Sequence, residues 1–108
     1  MKNKLSKSAK IKALVSFLAM PKSRENLDIV LENLLTSSEI TKIYDRIRIL
    51  DCLERGLSQR ETQERVGGGI ATISRGADMV KAPKFNIFAG ILAEARLQSW
   101  WNTLFWRK

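Results

Sequence analysis

Between Ser58 and Lys81 the chain reads SQRETQERVGGGIATISRGADMVK, and the groups there that could do chemistry are amides, hydroxyls and guanidiniums. Gln59, Arg60 and Gln63 share a short polar segment, and side chains of these types reach phosphate oxygens or base edges. After three glycines come Ile70, the small Ala71 and the hydroxyls of Thr72 and Ser74, a run slim enough to enter a nucleic-acid groove. This is chemistry of hydrogen bonding and charge pairing, not of bond breaking. With no His in the chain, the commonest general base and metal ligand are both missing, so no enzyme and no metal or cofactor is expected. The lone Cys52 leaves no intrachain disulfide and no thiolate metal site; it reads as a small core residue in a reducing cytoplasm.

The charge points the same way. Nineteen Lys and Arg against eleven Asp and Glu give a net charge of +8, which favours polyanionic partners, nucleic acid before an anionic membrane. The excess is uneven: Lys2, Lys4, Lys7, Lys10, Lys12, Lys22 and Arg24 all precede the first acid, Glu25, so the first 24 residues carry +7 and the remainder +1. Residues 1–10 form a basic arm, either a phosphate-seeking tail or a solubilising terminus. The apolar stretch from Ala13 to Met20 follows lysines as a signal peptide would, but it is short, is interrupted by Ser16 and leads to no convincing cleavage motif. It reads as a core helix. No run approaches the roughly 18 apolar residues of a membrane span, so a soluble cytoplasmic protein with no membrane partner is expected.

The elements that must hold the polar groups are helices. Two prolines, six glycines and little β-branched alternation point to an all-α chain, and 108 residues suit a single domain, 1–108. A unit of this size buries only about 65% of its chain surface, so dimerisation would add stability. Six helices are predicted. The first covers 8–20, with Ile11, Leu14, Val15, Leu18 and Ala19 as its apolar stripe, and is broken at Pro21; Ser23 caps the second, with Leu27, Val30, Leu31 and Leu34. Thr36 to Glu39 has the form of a capping box before Ile40, Ile43, Ile47, Leu50 and Leu53, giving a third helix to about Arg55. Gly56 stops it, and Ser58 to Glu61 is a second capping box that starts a brief fourth helix ending near Val66. The fifth follows Gly67-Gly68-Gly69 directly, with Ile70, Ile73, Ala77 and Val80. A last helix from Phe85 to about Phe105 turns Phe88, Ile91, Leu92, Ala95, Leu97 and Trp101 mostly inward, and Gly90 allows close approach of another backbone.

A capped short helix, a glycine turn and a second helix that begins with small residues is the pattern of a helix-turn-helix, here over 58–80. Spacing alone leaves open an ordinary helical hairpin with a solvated polar face. The wording of the segment decides further: RIRILDCLERGLSQRETQERVGGGIATISRGADMVKA resembles the signature stretch of the bacterial tryptophan operon repressor family, above all in SQRE, GGGIATISRG and the RIRI run. The likeness covers about residues 33–83, while the first helix, the basic arm and the Trp-rich tail agree only in helical pattern and length.

The resemblance implies a six-helix, intertwined all-α homodimer whose two helix-turn-helix heads bind a palindromic double-stranded DNA operator of tryptophan biosynthesis or transport genes, with L-tryptophan as corepressor. It implies that Arg46 and Arg75 flank the indole, Arg75 also meeting the carboxylate. A planar guanidinium suits both tasks, since it stacks on an aromatic face and pairs with a carboxylate. Backbone at Leu35 and Thr36 of the other subunit would receive the ammonium, with Thr72, Gly76 and Met79 in the pocket wall. Carried over in the same way, Gln59, Arg60, Gln63, Gly69, Ile70, Ala71, Thr72, Ser74 and Lys81 are the DNA contacts, Lys81 to phosphate.

Three positions depart from the family pattern. Met79 stands where the family has a serine that assists the ligand's amino group, and a thioether is a much weaker acceptor. Asn33 replaces a leucine near the ligand, and the link between Gly56 and Ser58 is one residue shorter. A helix-turn-helix protein that binds DNA without regulation by tryptophan is therefore the alternative. In the tail, Trp100, Trp101, Phe105 and Trp106 beside Arg107 and Lys108 read as the end of a hydrophobic core, with Trp106 the most exposed; an amphipathic membrane anchor is the competing reading.

Overall fold

A computed structural model describes residues 4–106, so Arg107, Lys108 and the first three residues of the basic arm lie outside the described residues. Among the described residues all regular structure is helical: α1 Lys7–Leu18, α2 Arg24–Leu34, α3 Ser37–Glu54, α4 Gln59–Val66, α5 Ile70–Lys81, α6 Phe85–Ala95 and α7 Ser99–Leu104.

Hydroxyl caps set most of the starts. Ser6 and Ser23 each accept a backbone N–H three residues on, at 3.1 Å. Thr36 accepts from the Glu39 N–H at 3.1 Å while the Glu39 carboxylate takes the Thr36 N–H at 2.9 Å. Ser58 and Glu61 repeat that reciprocal box at 3.0 and 2.9 Å. Both bonds from Ser58, its backbone N–H first and its hydroxyl second, hold the Glu61 carboxyl below the usual glutamate range. At the end of α3, Gly56 takes φ +98°, its N–H bonds the Leu53 carbonyl and the Leu57 N–H bonds the Cys52 carbonyl, each at 3.0 Å. That is the glycine stop in which both orphan carbonyls are used.

The chain divides into two compact units, Met1–Glu39 and Ile40–Lys108. In the first, neither α1 nor α2 buries a residue. The expectation of a core helix at 8–20 is thus corrected for the single chain: Ile11, Leu14, Val15 and Phe17 are exposed. Two short amphipathic helices present too little facing surface to close a core.

The second unit is built around α3. Ile49 and Leu53 on one side pack with Ile73 of α5, joined by Val66, Ala77 and Val80. Leu50, a neighbouring position on the wheel, packs with Phe85 and Leu92 of α6 and Trp101 of α7. Cys52 is buried as expected, and burial together with the Asp51 charge raises its thiol above the ordinary range.

The single helix predicted from Phe85 to Phe105 is two helices. After Ala95 the N–H groups of Leu97 and Gln98 turn to the carbonyls of Glu94 and Ala95, and Gln98 adopts an extended conformation that restarts the chain as α7. The break has a physical cause on each side. Arg96 is drawn to α3, where it meets Asp51 Oδ1 at 2.6 Å and Glu54 Oε1 at 2.7 Å, and Trp101 turns into the core with 3% of its surface exposed. Ile91 and Leu97, predicted inward, are exposed. Asp51, buried, also accepts from Arg55 at 3.0 Å. Partial burial works against the Arg96 charge, but the hydrogen bonds and charges of Glu54 and Asp51 outweigh it and hold the guanidinium more firmly protonated.

Candidate ligand pocket and nucleic-acid interface

The helix pair follows from its turn. Gly67 and Gly68 take φ of +84° and +92°, the region that side chains disfavour, so the chain reverses between Val66 and Ile70 at little steric cost. Gly69 caps α5 without a side chain, and the Gln63 amide donates to the Gly68 carbonyl at 3.4 Å, bracing the turn. Gln63 is half-buried in that role, whereas Gln59 and Arg60 are exposed. Arg60 makes only an exposed ion pair with Glu64 at 3.8 Å, which contributes little.

At about 100° per residue, α5 divides into three faces. Ile73, Ala77 and Val80 face the core. Ile70, Ala71, Ser74 and Lys81 are exposed on the far side, with Thr72 and Gly69 exposed near the turn. The third face carries Thr72, Arg75, Gly76 and Met79, which line a cavity of about 200 Å³ together with Arg46, Ile49 and Leu50 of α3. Arg46, Arg75, Thr72, Gly76 and Met79 are thus brought together. Leu35 and Thr36 belong to the first unit and are not among the lining residues.

Gly76 sets how closely α5 approaches α3. A methyl there would lie 3.1 Å from Leu53 Cδ1, 3.3 Å from Ile49 Cγ2 and 3.6 Å from Leu50 Cδ2. Ile49, Leu50 and Gly76 thus give the cavity an aliphatic part of its lining, to which the exposed Arg46 and Arg75 add charge. Such a space accepts a flat apolar group that carries a negative charge, because each arginine can stack on a ring or pair with an anion. A second hollow, lined by Lys42, Asp45, Arg46, Ile49, Gly68, Gly69 and Thr72, adjoins it through the shared Arg46, Ile49 and Thr72.

Sequence reasoning missed Ile49 and Leu50 as lining residues, although their spacing from Arg46, three and four positions on, puts them on its face of α3. It also missed the seat of Trp106. Predicted as the most exposed tail aromatic, Trp106 is half-buried, with the guanidinium carbons of Arg55 and Arg65 at 3.8 and 3.7 Å from its ring centroid. Contacts over such sequence distances leave no local signal. Among the described residues no cluster of His, Cys, Asp and Glu could hold a metal, and no helix is long and apolar enough to cross a membrane.

A small all-helical chain with a glycine-hinged helix pair beside a two-arginine cavity is of the class of small helical transcription regulators. The chain belongs to the family described as Trp repressor protein, whose pattern it matches over residues 9–93. Trp operon repressor homologs of Xylella fastidiosa strains M23 and Temecula1 are each 35% identical to it over 74 residues, 68% of this chain and 80% of theirs. No solved structure gives a significant match.

Proposed function

We propose that the protein is a sequence-specific DNA-binding repressor that acts as a homodimer in the cytoplasm and is gated by L-tryptophan as corepressor. One observation carries the reading. Arg46 from α3 and Arg75 from α5 stand at one aliphatic cavity on the face of α5 opposite Ile70, Ala71, Ser74 and Lys81. A ligand in that cavity touches the helix that would enter the groove without occupying its outer face. In this reading the indole lies on Ile49, Leu50 and Gly76 between the two guanidiniums, and Arg75 pairs with the carboxylate. Backbone at Leu35 and Thr36 of the partner subunit takes the ammonium. Gln59, Arg60, Gly69, Ile70, Ala71, Thr72, Ser74 and Lys81 face a palindromic operator, with Gln63 bracing the turn and touching DNA at its edge.

The dimer is supported by the apolar surface of the single chain. Ile11, Leu14, Val15, Phe17, Ile29 and Leu34 are all exposed in the first unit, apolar side chains that a partner subunit would cover. Two heads about one helical turn apart on DNA require such an association. Met79, half exposed at the cavity, favours the second reading, a DNA-binding protein without tryptophan control, because it offers the ligand's ammonium no strong acceptor.

Calorimetric titration with L-tryptophan tests the reading. It predicts one site per chain, abolished in Arg75→Ala, and tighter operator binding in the presence of ligand. Arg75→Ala should keep salt-sensitive non-specific DNA binding, since the phosphate contacts lie on another face. An unchanged tryptophan response in Arg75→Ala refutes the pocket assignment. No heat up to millimolar ligand favours the ungated reading.

A further inference from the structure

The C-terminal segment lies beyond residues 9–93, so the family pattern assigns it no role. It is nevertheless tied down residue by residue. Tyr44 donates its hydroxyl to the Leu104 carbonyl, Arg48 Nε donates to the Phe105 carbonyl at 3.1 Å, and Arg65 donates to the Trp106 carbonyl at 3.3 Å. The Phe105 ring stacks on Trp101 at 4.6 Å, which roots the segment in the core, and Trp106 is sandwiched between Arg55 and Arg65. Arg55 directly follows α3, and Arg65 sits in the last turn of α4 beside the glycine turn.

α4 packs on α5 but sends few apolar side chains inward. Its sequence is QRETQERV, only Thr62 is buried, and the Thr62 hydroxyl is spent on the Ser58 carbonyl at the start of the same helix. Val66 adds an aliphatic contact, to the cluster of Ile49, Leu53 and Ile73. The Trp106 indole meets a guanidinium that follows α3 and one in the last turn of α4, so it links the ends of the two helices, and such contacts strengthen where water is excluded. The Arg65 Nε is buried and has no hydrogen-bond acceptor among the described residues, as expected of a guanidinium oriented by stacking.

We propose that the segment from Leu104 to Trp106 is a strap, and that Trp106 is a positioning residue which sets the pose of α4, and through the glycine turn of α5, by its seat between Arg55 and Arg65. Its consequence for DNA affinity rests on the proposed reading of α4 and α5 as the DNA-binding pair; the positioning itself does not.

Amide hydrogen exchange of the full chain tests the strap in the wild type, Trp106→Ala, Trp106→Phe and Trp106→Leu. In Trp106→Ala the amides of α4 exchange about tenfold faster, the loss expected when two cation–π contacts go, while those of Ile49 to Leu53 stay unchanged. Trp106→Phe, which keeps an aromatic face, retains most of the protection, and Trp106→Leu, apolar without that face, does not. Should Trp106→Ala fail to fold, Arg65→Lys removes the planar stack, keeps the charge and is expected to expose the same amides. Unchanged α4 exchange in Trp106→Ala, or equal protection by Leu and Phe, overturns the proposal. Binding to a mixed-sequence duplex at low salt is measured on the same samples. A weaker complex in step with α4 exchange supports the strap and the DNA reading together. Faster α4 exchange in a protein whose wild type binds no duplex supports the strap and refutes only the DNA reading.

Discussion

Replacing Gly76 by alanine tests whether the approach of α5 to α3 is as close as the geometry describes. In the middle of a helix, Gly→Ala gains about 1 kcal/mol from helix propensity alone. Here the new methyl would stand 3.1 Å from Leu53 Cδ1 and 3.3 Å from Ile49 Cγ2. The Leu53 methyl is the end of a flexible chain and can yield, but Ile49 Cγ2 branches from Cβ and is held by the one χ1 rotamer that a helix favours for Ile. Forcing a methyl into such a contact costs about 1–3 kcal/mol, so the two effects leave a net loss of about 1 kcal/mol. With a urea slope near 2 kcal/mol per molar, the midpoint falls by about 0.5 M at a fixed chain concentration. Gly90→Ala in α6 is the control: the close approach of another backbone expected there is not met within the single chain, where nothing lies within 4 Å of the added methyl, and the propensity gain remains. A midpoint raised as much by Gly76→Ala as by Gly90→Ala would refute the close approach, and with it the aliphatic lining assigned to the cavity.

Three further expectations follow from the same contacts. Asp51→Ala strips the buried carboxylate that Arg55 and Arg96 share and leaves Arg96 to Glu54 alone, so stability drops by about 3 kcal/mol in urea unfolding. Gly67→Ala forces a side chain into φ +84° and ψ −162°, a region essentially reserved for glycine, and loses about 1–3 kcal/mol in the same assay. Glu61, whose folded carboxyl titrates below its ordinary 4.5, stabilises the fold above that value and loses the contribution as pH falls through the lower folded one; Glu61→Gln should flatten that part of the acid limb of a thermal melt.

The helices were legible because their caps are local. Thr36 with Glu39 and Ser58 with Glu61 carry both halves of a capping box within four residues, and both boxes form. The glycine turn was legible for the same reason. What failed was long-range. Nothing near Arg96 announces that Asp51, forty-five positions away, will draw it in and split the last helix, and nothing near Trp106 announces Arg55 and Arg65. The stripe of α1 read as core because periodicity records that a face is apolar, not what covers it. Of the cavity, Arg46, Thr72, Arg75, Gly76 and Met79 came from the family likeness; Ile49 and Leu50 needed the helix wheel of α3 applied to Arg46.

The two proposals act on one helix pair, and what one contributes limits what the other can add. A corepressor bound by Arg46 and Arg75 would fix α5 from the cavity side, and the strap would fix α4 through Arg65. Any stabilisation of the DNA-competent pose that the strap supplies in advance is unavailable to the ligand, since a ligand shifts an equilibrium only by its differential affinity for the two states. If the competent pose fills a fraction of the free molecules, the apparent affinity for DNA is reduced by that fraction, and a ligand restores at most what is missing. On the proposed reading, a chain with the strap would therefore bind DNA better without ligand and respond to ligand less. Cutting the strap lowers the unliganded affinity and widens the ratio between liganded and unliganded binding. A strap that only stabilised the fold would leave that ratio where it was.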